Sequence, residues 1–442
     1  MGGALEKPIT VKDSDCGAVL GGLHLSWASS CMQGWRLGME DAHITTPALL
    51  LDSDVGRLPS AAWTAGWRGL ALFAVFDGHG GEQVAKFVER HFTSELCSFP
   101  VEVGKEGHSE KDIAAALIST FHRMDELLQD TAKSVPELQS LGKGRADPDN
   151  IGCTACVACV TDRHVIVANA GDSRAVLSRS GNAVPLSFDH KPNSPRERAR
   201  IEAAGGMVAS TGQGQYRVNN NLNLSRALGD LVYKKGAGLR PEEQIISGSP
   251  DVTMTERRPD DEFVVICCDG VWDMMDNQQV VDFVQQRLPG LTDPTADVRP
   301  EDMKLAMEAL LDKCLSPDLS KTGGYGGDNM TAVMFRLPQI LPHRAVLKRS
   351  TSGSGGTIVV DVKFPVGAMA DSITRSDVIL RVSQPTASIH VGVSKRVGCV
   401  TRLIALQEYL PEGAALGDLG PGAATFGEDG WLRISLPWSA GP

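Results

Sequence analysis

Residues 75–81 read VFDGHGG and end an apolar run that begins at residue 71. This run, ALFAVF, predicts a buried strand that delivers Asp77, Gly78 and His79 to its carboxyl end. An Asp-Gly pair after a strand is usually a turn, because both residues tolerate turn conformations. The importance of Asp77 therefore depends on whether other parts of the chain repeat the pattern.

Two further stretches repeat it. FVVICCDG (263–270) runs a strand into Asp269, and GGDNMTAVMF (326–335) places Asp328 just before another strand. Three carboxylates at strand ends, far apart in sequence, indicate one oxygen-rich site that the fold assembles. Hard divalent cations such as Mg²⁺ and Mn²⁺ prefer ligands of this kind.

Such a site could perform phosphoryl hydrolysis. Two divalent ions can share a bridging water and lower its pKa, so that hydroxide exists near neutral pH. They also clamp the entering and departing oxygens of an in-line displacement at phosphorus. Asp77, Asp269 and Asp328 fit as ligands, and the Gly78 carbonyl offers another oxygen.

The segment RLGMED adds a fourth acidic element, Glu40 and Asp41, with Arg36 just upstream. Arg36 could grip a phosphate with two N–H groups, and His79 could protonate a departing alkoxide. Taken singly, His79 is more often a loop histidine, and Arg36 with Glu40 an ordinary surface pair. The whole set favours the catalytic interpretation.

Composition limits the classes of function. The chain has 442 residues, enough for more than one domain, and its net charge of −11 argues against nucleic acid as a partner. No apolar run approaches a transmembrane span of about 18 residues, and the N-terminus lacks an apolar signal core. Myristoylation at Gly2 stays open, because position 6 holds Glu6 where the pattern requires Ser or Thr.

The cysteines bear on the compartment. Cys153, Cys156 and Cys159 have a CxxCxxC spacing, but Arg163 stands where a fourth iron–sulfur ligand would follow. Their small, β-prone context predicts buried, reduced thiols on a core strand. We therefore expect an intracellular protein, cytoplasmic and also nuclear.

Strands and helices come in blocks rather than in strict alternation, which favours antiparallel sheets covered by helices. Asp112 is the predicted N-cap of the second helix. Residues 50–68 are interpreted as an insertion loop that influences substrate choice, and 131–150 as a polar connection. The predicted helices are 82–96, 112–130, 194–204, 276–288 and 301–315.

The chain changes character near its C-terminal end. Residues 339–356 are rich in proline, serine, glycine and basic residues, which is typical of a flexible linker. The segments TIVVDVKF, DVILRVS, ASIHVGVS and WLRISLPW then alternate like strands. They predict a small all-β domain, a β-sandwich, over 357–439.

Eight motifs carry a resemblance to a known family. QGWRLGMEDAH, FAVFDGHGG, GCTACV, ANAGDSRAVL, DHKP, LSRALGD, CDGVWDMM and GDNMTAV follow one another between residues 20 and 338. In this order they closely resemble the metal-dependent protein phosphatases of type 2C, in their eukaryotic branch. The catalytic domain is accordingly placed at 20–338.

The resemblance implies an α+β fold, a four-layer α-β-β-α sandwich of two antiparallel sheets flanked by helices. It also implies two Mg²⁺ or Mn²⁺ ions in the catalytic domain and a weaker third. In this comparison Arg36 binds phosphate, His79 is the general acid and Asp77 bridges the ions. The other implied metal-site residues are Glu40, Asp41, Gly78, Asp269 and Asp328, with Asp172 and Asp273 for the third ion.

The implied activity is hydrolysis of phosphoserine and phosphothreonine in proteins by direct attack of a metal-bridging hydroxide. The partners would be phosphoproteins, with no nucleic acid, no transmembrane segment and a monomeric catalytic domain. Two alternatives stay open: a phosphatase for small molecules, and a regulatory protein whose metal site only shapes a binding surface.

The C-terminal ending GEDGWLRISLPW, after TIVVDVKFP, resembles the CS or crystallin-like β-sandwich. An unrelated sandwich stays an equal alternative. Modules of that kind bind proteins, so the resemblance implies an interaction domain that recruits a chaperone or scaffold; a stabilising appendage is the other interpretation.

Overall fold

The computed structural model divides the chain into two compact units, which meet in the sequence at Leu337 and Pro338. The structure describes residues 4–18, 23, 25–49, 65–104, 107–143, 146–212, 214–258, 260–291, 298–337, 345–352, 355–363, 378–383, 388–393, 400–405, 415–416, 424–426 and 431–439.

Two antiparallel sheets form the centre of the first unit. The larger sheet consists, in spatial order, of β1 (Ala4–Ala18), β2 (Ser26–Arg36), β18 (Met330–Arg336), β17 (Asp261–Cys267), β11 (Arg174–Arg179) and β12 (Asn182–Pro185). The smaller sheet consists of β16 (Asp251–Glu256), β10 (His164–Ala170), β9 (Ala155–Val160), β4 (Ala71–Phe76) and β3 (Ala42–Thr46).

Helices lie outside both sheets. Within the described residues, the α-helices of this unit are α1 (Gln83–Leu96), α2 (Glu110–Gln129), α3 (Thr131–Leu141), α4 (Pro195–Ala203), α5 (Asp269–Trp272), α6 (Asn277–Arg287), α7 (Pro300–Cys314) and α8 (Leu319–Thr322). Short pairings complete it: β6 (Val103–Gly104) with β7 (Gly107–His108), β13 (Val208–Gly212) with β14 (Gln215–Val218), and a three-stranded sheet of β5 (Gly78–His79), β8 (Gly152–Cys153) and β15 (Leu228–Gly229).

The central strands are buried on both faces, and their alternation produces the layers. In β4, Leu72 and Phe76 belong to a core shared with α1 and α2, whereas Phe73 belongs to the core between the sheets. Phe73 stacks there on Phe335 of β18, with ring centroids 4.3 Å apart. In β17, Phe263 faces α6 and α7 while the next residue faces the other sheet. The α+β prediction, with two antiparallel sheets between helices, is confirmed for this unit.

The cysteine prediction is also confirmed. Cys153, Cys156 and Cys159 are fully buried, and the cysteines within the described residues are free thiols. Desolvation is the largest influence on the Cys156 thiol and raises its pKa to about 12, so it stays protonated. In the same described portion of the chain, no helix is both long enough and apolar enough to cross a bilayer.

Local predictions fail at two helices. Ser109, not Asp112, caps α2, because its hydroxyl accepts the hydrogen bond from the Asp112 N–H at 3.3 Å. Within the predicted connection 131–150, residues 131–141 form α3 despite the internal Pro136. The polar composition and the proline concealed this helix, which α1 and α2 support by packing.

The structure also differs from the sequence predictions at the edge strand β1 and at the end of the segment 50–68. Strand β1 begins well before residue 20, and its mostly exposed side chains give an edge strand little apolar pattern. Of the predicted insertion 50–68, residues 50–64 lie outside the described residues. Trp67 is fully buried and donates from Nε1 to the Phe99 carbonyl at 2.8 Å, so the end of that segment is part of the core.

The second unit contains strands only, within its described residues. One antiparallel sheet holds β19 (Ala345–Ser352), β20 (Gly355–Lys363), β26 (Trp431–Ser439) and β24 (Ala415–Leu416), with β25 (Ala424–Phe426) paired to β26. A second holds β21 (Val378–Ser383), β22 (Ser388–Val393) and β23 (Val400–Ala405). Residues 345–352, inside the predicted linker 339–356, form β19, which pairs with β20 along its whole length. The likeness to a CS domain stays a prediction.

A buried ion-pair network lies beside α4 and is centred on Glu197. Glu197 accepts hydrogen bonds from Arg226 at 2.7 Å and from Arg200 and Ser225 at 2.6 Å. Burial raises the pKa of Glu197, but these donors outweigh it and hold the pKa at about 2. The ionised carboxylate is therefore strongly favoured in the folded protein.

We expect Glu197→Gln to lower the free energy of unfolding at neutral pH by roughly 3 kcal/mol, because it leaves Arg226 short of its counter-charge. Since the folded pKa is depressed, Glu197 stabilises fully above its unfolded pKa of about 4.5 and loses this effect as pH falls toward about 2. Denaturant unfolding from pH 7 to pH 3 measures the difference, which should shrink on acidification.

Glu202→Gln is the matched control on the same helix. Glu202 pairs with Arg198 at 3.5 Å and both are solvent exposed, so the change should cost less than about 0.5 kcal/mol. Equal costs for the two variants would contradict a stabilising role for the buried network.

Candidate metal centre and active site

The register between β3 and β4 brings the first two candidate ligands together. Ala42 lies opposite Phe76, so Asp41 before β3 and Asp77 after β4 meet at one end of the sheet. Cys268, at the end of β17, joins them, and one ligand atom from each of the three lies within 4.8 Å of the others. Strand ends thus bring Asp41, Asp77 and Cys268 together from distant parts of the sequence.

Asp41 carries an unusual oxygen. Its Oδ2 accepts a hydrogen bond from the Thr331 hydroxyl at 2.6 Å, whereas its buried Oδ1 has no hydrogen-bond partner within the described structure. Burial raises the pKa of Asp41 to about 6, against the effect of the Thr331 hydrogen bond. A buried carboxylate oxygen without a donor is costly unless a cation takes the donor's place.

Asp77 and Asp269 both have pKa values that burial and neighbouring carboxylates raise. Burial raises the pKa of Asp77 well above its usual value, and the carboxylates of Asp41, Asp269 and Asp328 raise it further. Burial does the same to the pKa of Asp269, reinforced by Asp172 and Asp328. Mutual repulsion among carboxylates opposes their joint ionisation, and bound cations remove that repulsion.

The predicted third-ion residues flank this group. Asp172 is buried, and Lys191 donates to its Oδ2 at 2.6 Å. Asp273 lies one helical turn after Asp269, and its N–H donates a hydrogen bond to the Asp269 carbonyl at 2.8 Å. Burial raises the pKa of Asp273, and Lys191 acts in the opposite direction. The structure therefore places both residues beside Asp269, with Asp172 already neutralised by a lysine.

Arg36 reaches the same group from β2. Its guanidinium donates to Asp328 Oδ2 at 2.5 Å, and its side chain stays 46 % exposed. Asp328 also accepts from the Asn329 N–H at 2.8 Å. Arg36 thus stands between solvent and the carboxylates, where an incoming phosphate could meet it.

Asn329 fixes the loop that carries Glu40. It is almost fully buried, accepts from the Glu40 N–H at 3.0 Å, and donates to the Gln33 and Gly38 carbonyls. Gly78 packs directly against this loop, because a Cβ there would collide with the Glu40 carbonyl oxygen. The glycine is therefore required for this close backbone contact.

His79 has a buried acidic partner that the sequence reasoning missed. Its Nε2 lies 2.7 Å from Asp230 Oδ2, and the Asp230 side chain is 2 % exposed. Burial lowers the pKa of His79, but the Asp230 carboxylate outweighs it, so the pKa is raised. Asp230 ends the LSRALGD motif, which was the available signal. Asn329, Thr331 and Cys268 were also missed.

The comparisons with known proteins agree with this architecture. The protein phosphatase 2C family matches residues 26–322. A protein phosphatase 2C 1 from Paramecium tetraurelia is 42 % identical over 337 residues, covering 76 % of this chain and 99 % of the relative. A protein phosphatase 2C homolog 2 from Schizosaccharomyces pombe is 42 % identical over 335 residues, covering 75 % and 77 %.

Solved structures show the same fold. A phosphatase from Toxoplasma gondii superimposes with a TM-score of 0.52 at 22 % identity, covering 74 % of this chain and 96 % of that one. The site holds a cluster of acidic residues that could bind metal ions, and the matching family and relatives define a hydrolase of phosphoric monoesters. The chain belongs to the protein phosphatase 2C family, and it is a metal-dependent protein serine/threonine phosphatase.

Proposed function

We propose that the protein hydrolyses phosphoserine and phosphothreonine directly, without a phosphoenzyme, using two Mg²⁺ or Mn²⁺ ions. The observation that carries this is the set of mutually repelling carboxylates, half-buried at Asp77 and Asp269 and buried at Asp41, whose Oδ1 lacks a donor within the described structure. Asp41, Asp77, Asp269, Asp328 and the Gly78 carbonyl would hold the ions, with Glu40 beside them. The weaker third ion would use Asp172 and Asp273.

When bound, the ions would supply an activated water as nucleophile and offset the charge of the phosphoryl oxygens. The protein contributes the remaining steps. Within the described residues, the Arg36 guanidinium donates one hydrogen bond, to Asp328. Its other N–H groups can therefore bind the phosphate. His79 donates a proton to the seryl or threonyl oxygen as the P–O bond breaks.

Metal dependence and substrate class are tested together. Protein stripped with a chelator should lose turnover of a phosphothreonine peptide, and Mn²⁺ or Mg²⁺ should restore it. Glycerol phosphate, a small alkyl phosphate, should turn over far more slowly per unit concentration. Faster turnover of small phosphates would favour the metabolite alternative, and no turnover with any metal would favour a purely binding role.

We also propose that the C-terminal strands form an interaction domain for a chaperone or scaffold. Its support is that the chain divides into a second compact unit after Leu337. Removing residues beyond 340 should leave peptide turnover unchanged and abolish partner capture. Loss of folding in the truncated protein would instead indicate a stabilising appendage. Intracellular localisation and a monomeric catalytic unit stay expectations.

A further inference from the structure

A three-stranded sheet next to the acidic cluster determines how His79 meets Asp230. Strand β8 lies between β5 and β15, so Gly152 stands opposite His79 on one side and Gly229 on the other. Asp230 follows Gly229 directly. A Cβ on Gly152 would lie 2.8 Å from His79 Nε2 and would collide with Asp230 Oδ2. The missing side chain is what allows the two groups to meet across the middle strand.

The backbone at Asp230 has an unusual conformation that a hydrogen bond supports. Asp230 adopts a left-handed backbone, with φ of 50°, which few non-glycine residues accept. Its N–H donates to the Ile151 carbonyl at 3.0 Å. Such strained conformations persist where surrounding contacts enforce them, and they concentrate at functional sites.

A buried ion pair between Asp125 and Lys234 holds the backbone on both sides of Asp230. Asp125 of α2 accepts from the Gly229 N–H at 2.9 Å and from Lys234 Nζ at 2.5 Å. Lys234 also donates to the Ala227 carbonyl at 2.7 Å. Residues on both sides of Asp230 are therefore tied to one helix, while the Asp230 carboxylate itself points to His79.

We propose that Asp230 is a positioning residue that holds His79 through Nε2, so that Nδ1 is the nitrogen presented to the departing oxygen. This inference rests on the proposed role of His79 as general acid. In the step, the Nδ1–H bond breaks and an O–H bond forms on the seryl or threonyl oxygen as its bond to phosphorus breaks. The Nε2–H keeps its hydrogen bond to the Asp230 carboxylate. The oxygen of the attacking water forms the new bond to phosphorus and its proton passes to solvent, from which Nδ1 is protonated again before the next turnover.

The test is Asp230→Asn, assayed on a phosphothreonine peptide and on p-nitrophenyl phosphate. Asparagine has nearly the same shape and tolerates the left-handed backbone, so the fold should be kept. We expect kcat on the peptide to fall roughly 10–10²-fold, the usual cost of losing an orienting partner, and kcat on p-nitrophenyl phosphate to change less than about threefold. KM and the Mn²⁺ concentration for half-activation should stay unchanged.

A double variant separates positioning from general structural support. Once His79→Gln has removed the acid, adding Asp230→Asn should cost nothing further, because the two residues act as one unit. Gly152→Ala, which inserts a methyl group between them, should reproduce the loss on the peptide alone. Asp149→Asn is the control, since Asp149 makes an exposed pair with Lys235 nearby and should leave both activities unchanged.

Two results would overturn the inference: equal losses on both substrates, or losses that multiply in the double variant. If His79→Gln itself fails to distinguish the substrates, the general-acid proposal fails first. If His79→Gln distinguishes them and Asp230→Asn does not, only the positioning role of Asp230 is wrong.

Discussion

Asp77→Asn is expected to lower turnover of a phosphothreonine peptide by at least about 10³-fold, because the metal contribution to such reactions is worth several kcal/mol. The amide keeps the shape of the side chain but removes the negative charge that would be shared between two cations. Isothermal titration with Mn²⁺ should show a matching loss of affinity. Wild-type affinity in this variant would contradict the role of Asp77 as a bridging ligand.

The same variant should become more stable when metal is absent. Burial and the neighbouring carboxylates raise the folded pKa of Asp77, so its ionised form destabilises the protein increasingly as pH rises above about 4. Removing the charge should therefore raise the melting temperature of chelator-treated protein at pH 7. Added Mn²⁺ should stabilise the wild type more than the variant. Asp312→Asn, at a surface pair with Lys12, is the control and should change neither property.

His79→Gln is expected to slow peptide hydrolysis by ~10²–10⁴-fold, the usual range for losing a general acid. The loss on p-nitrophenyl phosphate should be much smaller, because p-nitrophenolate is a weak base and departs without a proton. Steady-state kinetics on the two substrates at saturating Mn²⁺ measure the difference.

His91→Gln controls for the loss of a histidine elsewhere. His91 lies on α1 with Nε2 2.9 Å from Glu137, so its replacement should leave both rates unchanged. Equal losses on the two substrates in His79→Gln would show that His79 acts on binding or structure and not on the leaving oxygen.

The strand ends were the predictable part of this site. Apolar runs that finish on an aspartate indicate both a buried strand and a polar end, so Asp77 and Asp269 could be identified from local sequence. The convergence of Asp77 with Asp41 depends on the register of β3 against β4, which the motifs reflect only through family resemblance.

Other contributors could not be predicted, because their importance arises from contacts between distant segments. Asp230 reaches His79 only because Gly152 stands between their strands. Asn329 has the composition of an ordinary turn residue, and its role is visible only in its bonds to Gln33 and Gly38. Likewise β1 escaped prediction because an exposed edge strand lacks a regular apolar pattern.

The Oδ1 of Asp41, which has no hydrogen-bond donor within the described structure, has a consequence for how long the folded protein survives. The native state, with its mutually repelling carboxylates, is less stable without bound cations than with them. Cation binding raises the free energy of unfolding, and this gain grows with the ion concentration. Quality-control proteases degrade the less stable form faster. The amount of folded phosphatase would then follow the supply of divalent ions, so that a shortage of ions would remove the enzyme itself and not merely its turnover.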